Sequence, residues 1–124
     1  MTTQKWAKVF GIVFVLIGIL GFVPGITSNG QLLGIFEVNT VHNLIHLLSG
    51  IVFLAVMGSE AKSITFFKIF GVVYAIVAIV GILQGNTVLG IFGVNTADNI
   101  LHVVLALVIL SIGFGSKKSM MMKA

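Results

Sequence analysis

Apolar residues gather along this chain into four long runs, and polar residues fall into the breaks between them. The first run extends from about Trp6 to Val23 and ends at Pro24-Gly25, a pair that stops a helix and turns the chain. The second begins near Asn39-Thr40 and continues to about Met57, ahead of Gly58-Ser59. The third covers about Ile64 to Leu83. The fourth covers about Asn95-Thr96 to Phe114, with Gly115 and a lysine-bearing tail beyond. Each run is close to the roughly 20 residues a helix needs to cross a bilayer. Asn and Thr at the starts of the second and fourth runs are favoured helix caps, because their side-chain oxygens accept hydrogen bonds from amides the helix leaves unpaired. The pattern predicts an all-α, polytopic membrane protein with four transmembrane helices in one membrane domain, residues 1–124.

The pattern occurs twice. Lys8-Val9-Phe10-Gly11 reappears as Lys68-Ile69-Phe70-Gly71, and Leu33-Gly34-Ile35-Phe36-Glu37-Val38-Asn39-Thr40 as Leu89-Gly90-Ile91-Phe92-Gly93-Val94-Asn95-Thr96. The copies cover about residues 5–58 and 64–115, and a cytoplasmic tail, 116–124, follows. Two spans per copy means that both enter the membrane in the same direction, as parallel repeats. The first run has lysines ahead of it, as a secretory signal does, but no small-residue cleavage site follows and it is copied by the third.

Composition agrees. The chain is 58% hydrophobic and only 8% charged, with a mean hydropathy of +1.20, far from the usual quarter charged of soluble domains. The net charge of +4 does not point to nucleic acid, because the lysines punctuate apolar runs rather than cluster on a soluble face. Lys5, Lys8, Lys62, Lys68, Lys117, Lys118 and Lys123 all fall at the same ends of the runs. By the positive-inside rule both termini are expected in the cytoplasm of a multi-pass protein. With no cysteine in the chain, disulfides and thiolate chemistry are excluded.

Helices in lipid associate through close backbone approach at small residues. Gly11, Gly18 and Gly21 in the first run, and Gly71, Ala75, Ala78 and Gly81 in the third, are the expected packing faces. The bland alternative is that these residues are merely tolerated in a membrane helix.

One polar cluster interrupts the apolar pattern. His42, Asn43 and His46 stand in the second helix, and Asp98, Asn99 and His102 at the matching places in the fourth. Residues three and four apart share a helix face, and Gly50 and Ala106 one turn further on suggest that this face points inward. Each deeper histidine lies roughly 9 to 10 Å along its helix from the cap, where polar groups are costly unless paired.

Three readings follow. In the first, Asn39, Thr40, Asn43, Asn95, Thr96 and Asn99 cap the helices and exchange hydrogen bonds with the histidines in a structural polar layer. In the second, His46 and His102 bind haem or a transition metal, with His42 and Asp98 as further ligands or as support. In the third, a small anion or polar ligand sits at the outer ends of helices two and four. A transporter is disfavoured, since the cytoplasmic half offers little beyond Ser49, Tyr74 and Ser111. No hydrolase, metalloprotease or phosphate-loop motif is present, so a non-enzymatic role is expected. That role is a structural or accessory component of a membrane assembly, facing the lipid bilayer and possible copies of itself or a larger complex.

The segments K-V-F-G-I, G-I-L-G-F-V-P-G, G-I-F-E-V-N-T-V-H-N-L-I-H and V-N-T-A-D-N-I-L-H together resemble a family of small four-helix membrane proteins classified as a domain of unknown function, of the DUF4383 type. The resemblance spans nearly the whole chain except the Lys-Met tail. It implies a bacterial inner-membrane protein whose Asn/His pattern looks typical of the family, and it brings no activity with it.

Overall fold

The computed structural model describes residues 2–123, with side chains as far as Ser116. Its four helices are α1 (Thr3–Leu20), α2 (Thr40–Val56), α3 (Glu60–Gln84) and α4 (Thr96–Lys123). Three of them, with α4 counted to Ser116, are long and apolar enough to cross a membrane, and α2 is a shorter apolar helix of 17 residues. At 1.5 Å per residue α2 is roughly 26 Å long, slightly less than the hydrocarbon core of a bilayer.

Capping explains where these boundaries differ from the apolar runs. α1 starts at Thr3 because the Thr2 hydroxyl accepts from the Lys5 amide at 3.2 Å, and the Glu60 carboxylate accepts from the amides of Thr3 and Gln4. It stops at Leu20, short of Val23, where tighter turns take over: the Phe22 amide donates to the Ile19 carbonyl and that of Val23 to Leu20. α3 starts four residues before Ile64, capped by Ser59, and ends at Gly85, whose φ of 86° few other residues adopt. α4 runs past Gly115 and through the expected tail to Lys123, since lysine and methionine are good helix formers even where they end an apolar run.

α1 packs chiefly on α2, and α3 chiefly on α4. At the first crossing two glycines face each other: a Cβ on Gly50 would lie 2.8 Å from the Gly11 carbonyl oxygen and 2.7 Å from the Val15 amide. Such approach is how apolar helices gain contact without a hydrophobic drive between them. Gly11, Gly18, Gly21, Gly71, Ala78 and Gly81 are all buried, and Ala75 is half-buried against the aromatic core.

That core fills the half of the bundle nearest the termini. Phe14, Phe53, Phe67 and Tyr74 are buried with Ala7, Ala106 and Ile109, and Phe10, Phe66 and Phe70 pack around them. Phe53 sits edge-on to Phe67 at 5.1 Å and to Phe66 at 4.7 Å, the arrangement that ring quadrupoles favour. At this end Thr3 is hydrogen-bonded to Ser116, bringing the start of α1 to α4.

The opposite end carries two small sheets, which the apolar pattern does not predict. β1 (Thr27–Ser28), β2 (Gln31–Leu32) and β3 (Phe36–Glu37) follow α1, and β4 (Thr87–Val88) and β5 (Phe92–Gly93) follow α3. Leu32 pairs with Phe36 and Val88 with Phe92, so each hairpin turns through a Leu-Gly-Ile loop. Leu33-Gly34 and Leu89-Gly90 all have φ between 55° and 71°. Consecutive left-handed residues are what a tight hairpin needs; glycine supplies one freely, and leucine adopts the other at a cost of about 1 to 2 kcal/mol.

Candidate metal centre

α2 carries His42 and His46 one turn apart on its inner face, and α4 brings His102 to meet them. Each imidazole offers one nitrogen, and these three atoms lie within 4.8 Å of one another. The His42 ring is 4.5 Å from that of His46 and 5.9 Å from that of His102, centroid to centroid. All three residues are buried, at 2%, 7% and 2% exposure respectively.

Their hydrogen bonding is incomplete. His42 Nδ1 lies 3.1 Å from the Glu37 carbonyl oxygen. A carbonyl only accepts, so Nδ1 carries the proton and Nε2 presents a lone pair. Among the described residues that Nε2 has no hydrogen-bond partner, nor has Nδ1 of His46 or of His102. A buried polar atom left unpaired costs about 1 to 3 kcal/mol, and native interiors contain few of them. Three on converging imidazoles form a set that a bound group would complete. An imidazole whose second nitrogen donates to a carbonyl is also the usual state of a metal-ligating histidine.

Aromatic rings hold the trio in place. Phe92 of β5 stacks on His42 at 4.8 Å, Phe14 meets His46 edge-on at 5.6 Å, and Tyr74 meets His102 edge-on at 5.4 Å.

The other residues singled out in the sequence act around this centre. Asp98 is buried, but its carboxylate caps rather than joins the imidazoles: Oδ2 accepts from the Asn95 amide at 3.0 Å and from the Glu37 amide at 3.1 Å. Asn95 reciprocates by accepting from the Asp98 amide at 2.9 Å, a two-way cap. Its side-chain nitrogen also donates to the Ile35 carbonyl across the two loops. Asn39 accepts from the His42 amide at 2.8 Å, and Thr40 and Thr96 are the first residues of their helices. Each cap thus meets one helix-start amide, that of His42 in α2 and that of Asp98 in α4.

Asn43 and Asn99 lock each helix pair internally. A Cβ on Gly21 would overlap the Asn43 carboxamide, and one on Gly81 the Asn99 carboxamide. Asn99 also donates to the Gly81 carbonyl at 3.2 Å. Among the described residues, no asparagine side chain is hydrogen-bonded to a histidine ring.

Sequence reasoning overlooked Glu37 and Phe92. The Glu37 main chain joins the two halves of the site: its carbonyl fixes His42, and its amide is held by Asp98. Its carboxylate lies against Gly93, where a larger residue would push it aside. The signal lay in the two similar stretches around 33–46 and 89–102, which differ at these linked places: Glu37 stands opposite Gly93 and His42 opposite Asp98.

Apolar helices long enough to cross a bilayer, gathered around a buried histidine trio, are the architecture of a small helical membrane protein. This chain belongs to the family described as Domain of unknown function (DUF4383), whose model matches residues 4–115 and so takes in the whole histidine trio. No curated protein and no solved structure matches it.

Proposed function

We propose that the protein binds a transition-metal ion through His42, His46 and His102, and that the metal fastens the α1–α2 pair to the α3–α4 pair. The observation carrying this reading is the convergence of three buried imidazoles, each with an unpartnered nitrogen. Neutral imidazole suits zinc, copper, iron and nickel. Nitrogens bound to one ion at about 2.0 to 2.1 Å would lie closer together than the 4.8 Å limit found here. Loading therefore requires the rings to draw together by small rotations.

A bare ion suits the space better than a haem. A haem needs its two axial imidazoles on opposite faces of a macrocycle, whereas here His42 packs against both other imidazoles and Phe92 covers it. Asp98 supports the centre through the Glu37 amide rather than by ligation, and Asn95 holds Asp98 in turn. In this reading the protein is a multi-pass component of a bacterial inner membrane. Both termini lie in the cytoplasm beside Lys5, Lys8, Lys62 and Lys68, and the hairpins and metal lie toward the other face. Its contribution is structural or accessory, a metal-pinned bundle within a membrane assembly, and not catalysis.

The test is metal analysis of protein purified in mild detergent from its native membrane. One ion per chain, lost in both His46→Ala and His102→Ala, is the expected result. A metal-free preparation that takes up no added zinc or copper would overturn the reading.

A further inference from the structure

The two hairpins end in matching apolar tips, Leu33-Gly34-Ile35 and Leu89-Gly90-Ile91. Leu33 and Leu89 are each 65% exposed, and Ile35 and Ile91 are more than half exposed. No charged residue occurs between residues 24 and 36 or between 84 and 97. Water is a poor surrounding for four such side chains, and the two leucines already bear the cost of a φ of 55°. The same arrangement stands at both places, so one environment has to suit both.

The backbone of the tips is as closed as their side chains are open. In the second hairpin the Leu89 amide donates to Gln84 Oε1 at 2.8 Å, that of Gly90 to the Thr87 hydroxyl at 3.2 Å, and that of Ile91 to the Val88 carbonyl at 2.9 Å. In the first, the amides of Leu33, Gly34 and Ile35 donate to the carbonyls of Ile26, Gln31 and Leu32. Every tip amide is therefore met within the chain. A loop in water has no need of this, since water pairs its amides. A loop entering lipid does, because an unpaired amide there costs several kcal/mol.

Depth points the same way. Val88 and Phe92, the pair that flanks the second tip, pack on Ile45, Val77 and Val80. Val80 and Val77 precede the end of α3 at Gln84 by roughly 6 to 10 Å along the helix axis. Ile82 and Leu83, both exposed, stand nearer that end. The residues that seat the tip thus lie within the apolar belt of the helices rather than beyond it.

We propose that both hairpin tips are inserted into the bilayer leaflet at their end of the bundle, with Leu33, Ile35, Leu89 and Ile91 reaching the boundary between headgroups and acyl chains. The partner of this apolar surface is phospholipid, continuous with the lipid around the helices, and not a second protein. It rests on the helices crossing a bilayer and is independent of the metal.

Trp6 is the only tryptophan in the chain, so a reporter can be placed at either tip in a Trp6→Phe background. Ile91→Trp, Leu89→Trp and Ile35→Trp would be reconstituted in phosphatidylcholine nanodiscs, where both faces meet the solution. Ile79→Trp, on the exposed side of α3, serves as the lipid reference. Helical circular dichroism checks that each variant is folded, and two positions on the second tip guard against one failing. The expected result is blue-shifted emission at both hairpins that loses most of its intensity with lipid brominated high on the acyl chains, and almost none with iodide.

Red-shifted emission quenched by iodide and untouched by brominated lipid would place the tips in water and overturn the proposal. Blue-shifted emission that neither quencher reaches would overturn it too, by showing that protein covers the tips. If Ile79→Trp also escapes the brominated lipid, the membrane reading falls and this proposal with it; if only the tips escape, the helices stay in lipid and this proposal alone falls.

Discussion

Near the termini, Phe53 and Phe67 are fully buried among other rings, and the packing of that aromatic core is mainly dispersion between carbon surfaces. Toward the hairpins the same interior is filled by His42, His46 and His102, which are buried almost as deeply but keep nitrogens that nothing satisfies. The aromatic half has its rings packed on one another; in the histidine half each imidazole keeps a nitrogen without a hydrogen-bond partner among the described residues. The difference separates stability from binding: residues in one half should govern whether the bundle holds together, and residues in the other what it holds.

Substitutions can break that division. The largest expected effect is Phe53→Ala, which empties a fully enclosed ring and should cost about 3 to 5 kcal/mol, measured as a lowered midpoint of thermal unfolding in detergent. Metal stoichiometry in the cold should be unchanged. Equal loss of metal and stability would mean that the halves are not separable.

Next is Gly21→Ala, whose methyl would overlap the Asn43 side chain. The penalty should be about 1 to 3 kcal/mol, with Gly81→Ala similar against Asn99. An unchanged melting temperature in both would show that the glycines are not packing sites.

His102→Ala should abolish metal binding and cost the metal-free protein less than Phe53→Ala does, because the cavity it leaves is partly offset by removing an imidazole nitrogen that had no partner. Lowering the pH should mimic it, since protonated imidazole cannot ligate. Metal retained undiminished at acidic pH would contradict ligation by these histidines.

The smallest effect is Asp98→Ala. It releases the Glu37 amide, and through Glu37 loosens the carbonyl that orients His42. Metal affinity should fall about tenfold without a change in stoichiometry, as read by competition with a chromophoric chelator. Complete loss would make Asp98 a ligand instead.

Much of this was legible in the sequence, because a helix in lipid announces itself by length and hydropathy, and burial follows from small residues on one face. The stripe Gly11, Gly18, Gly21 and the inward histidines His46 and His102 are of this kind. What the spacing left undecided was how His42 and Asp98, at matching places in the two copies, divide their roles. His42 turns into the centre and Asp98 toward the caps because Glu37 offers its carbonyl to one and its amide to the other. That choice depends on how the hairpins lie over the bundle, and strands of two residues leave no periodicity to read. Helix ends were misplaced for a related reason: Glu60 caps α1 from a distant part of the chain.

The most direct test of the central claim is X-ray absorption at the metal edge of the zinc-loaded protein. The account predicts a first shell near 2.0 Å with the multiple scattering of three imidazoles, and no such signal in His42→Ala, which should lose the metal as the other two substitutions do. A shell of oxygen ligands without imidazole scattering, or one unaltered by that substitution, would contradict it.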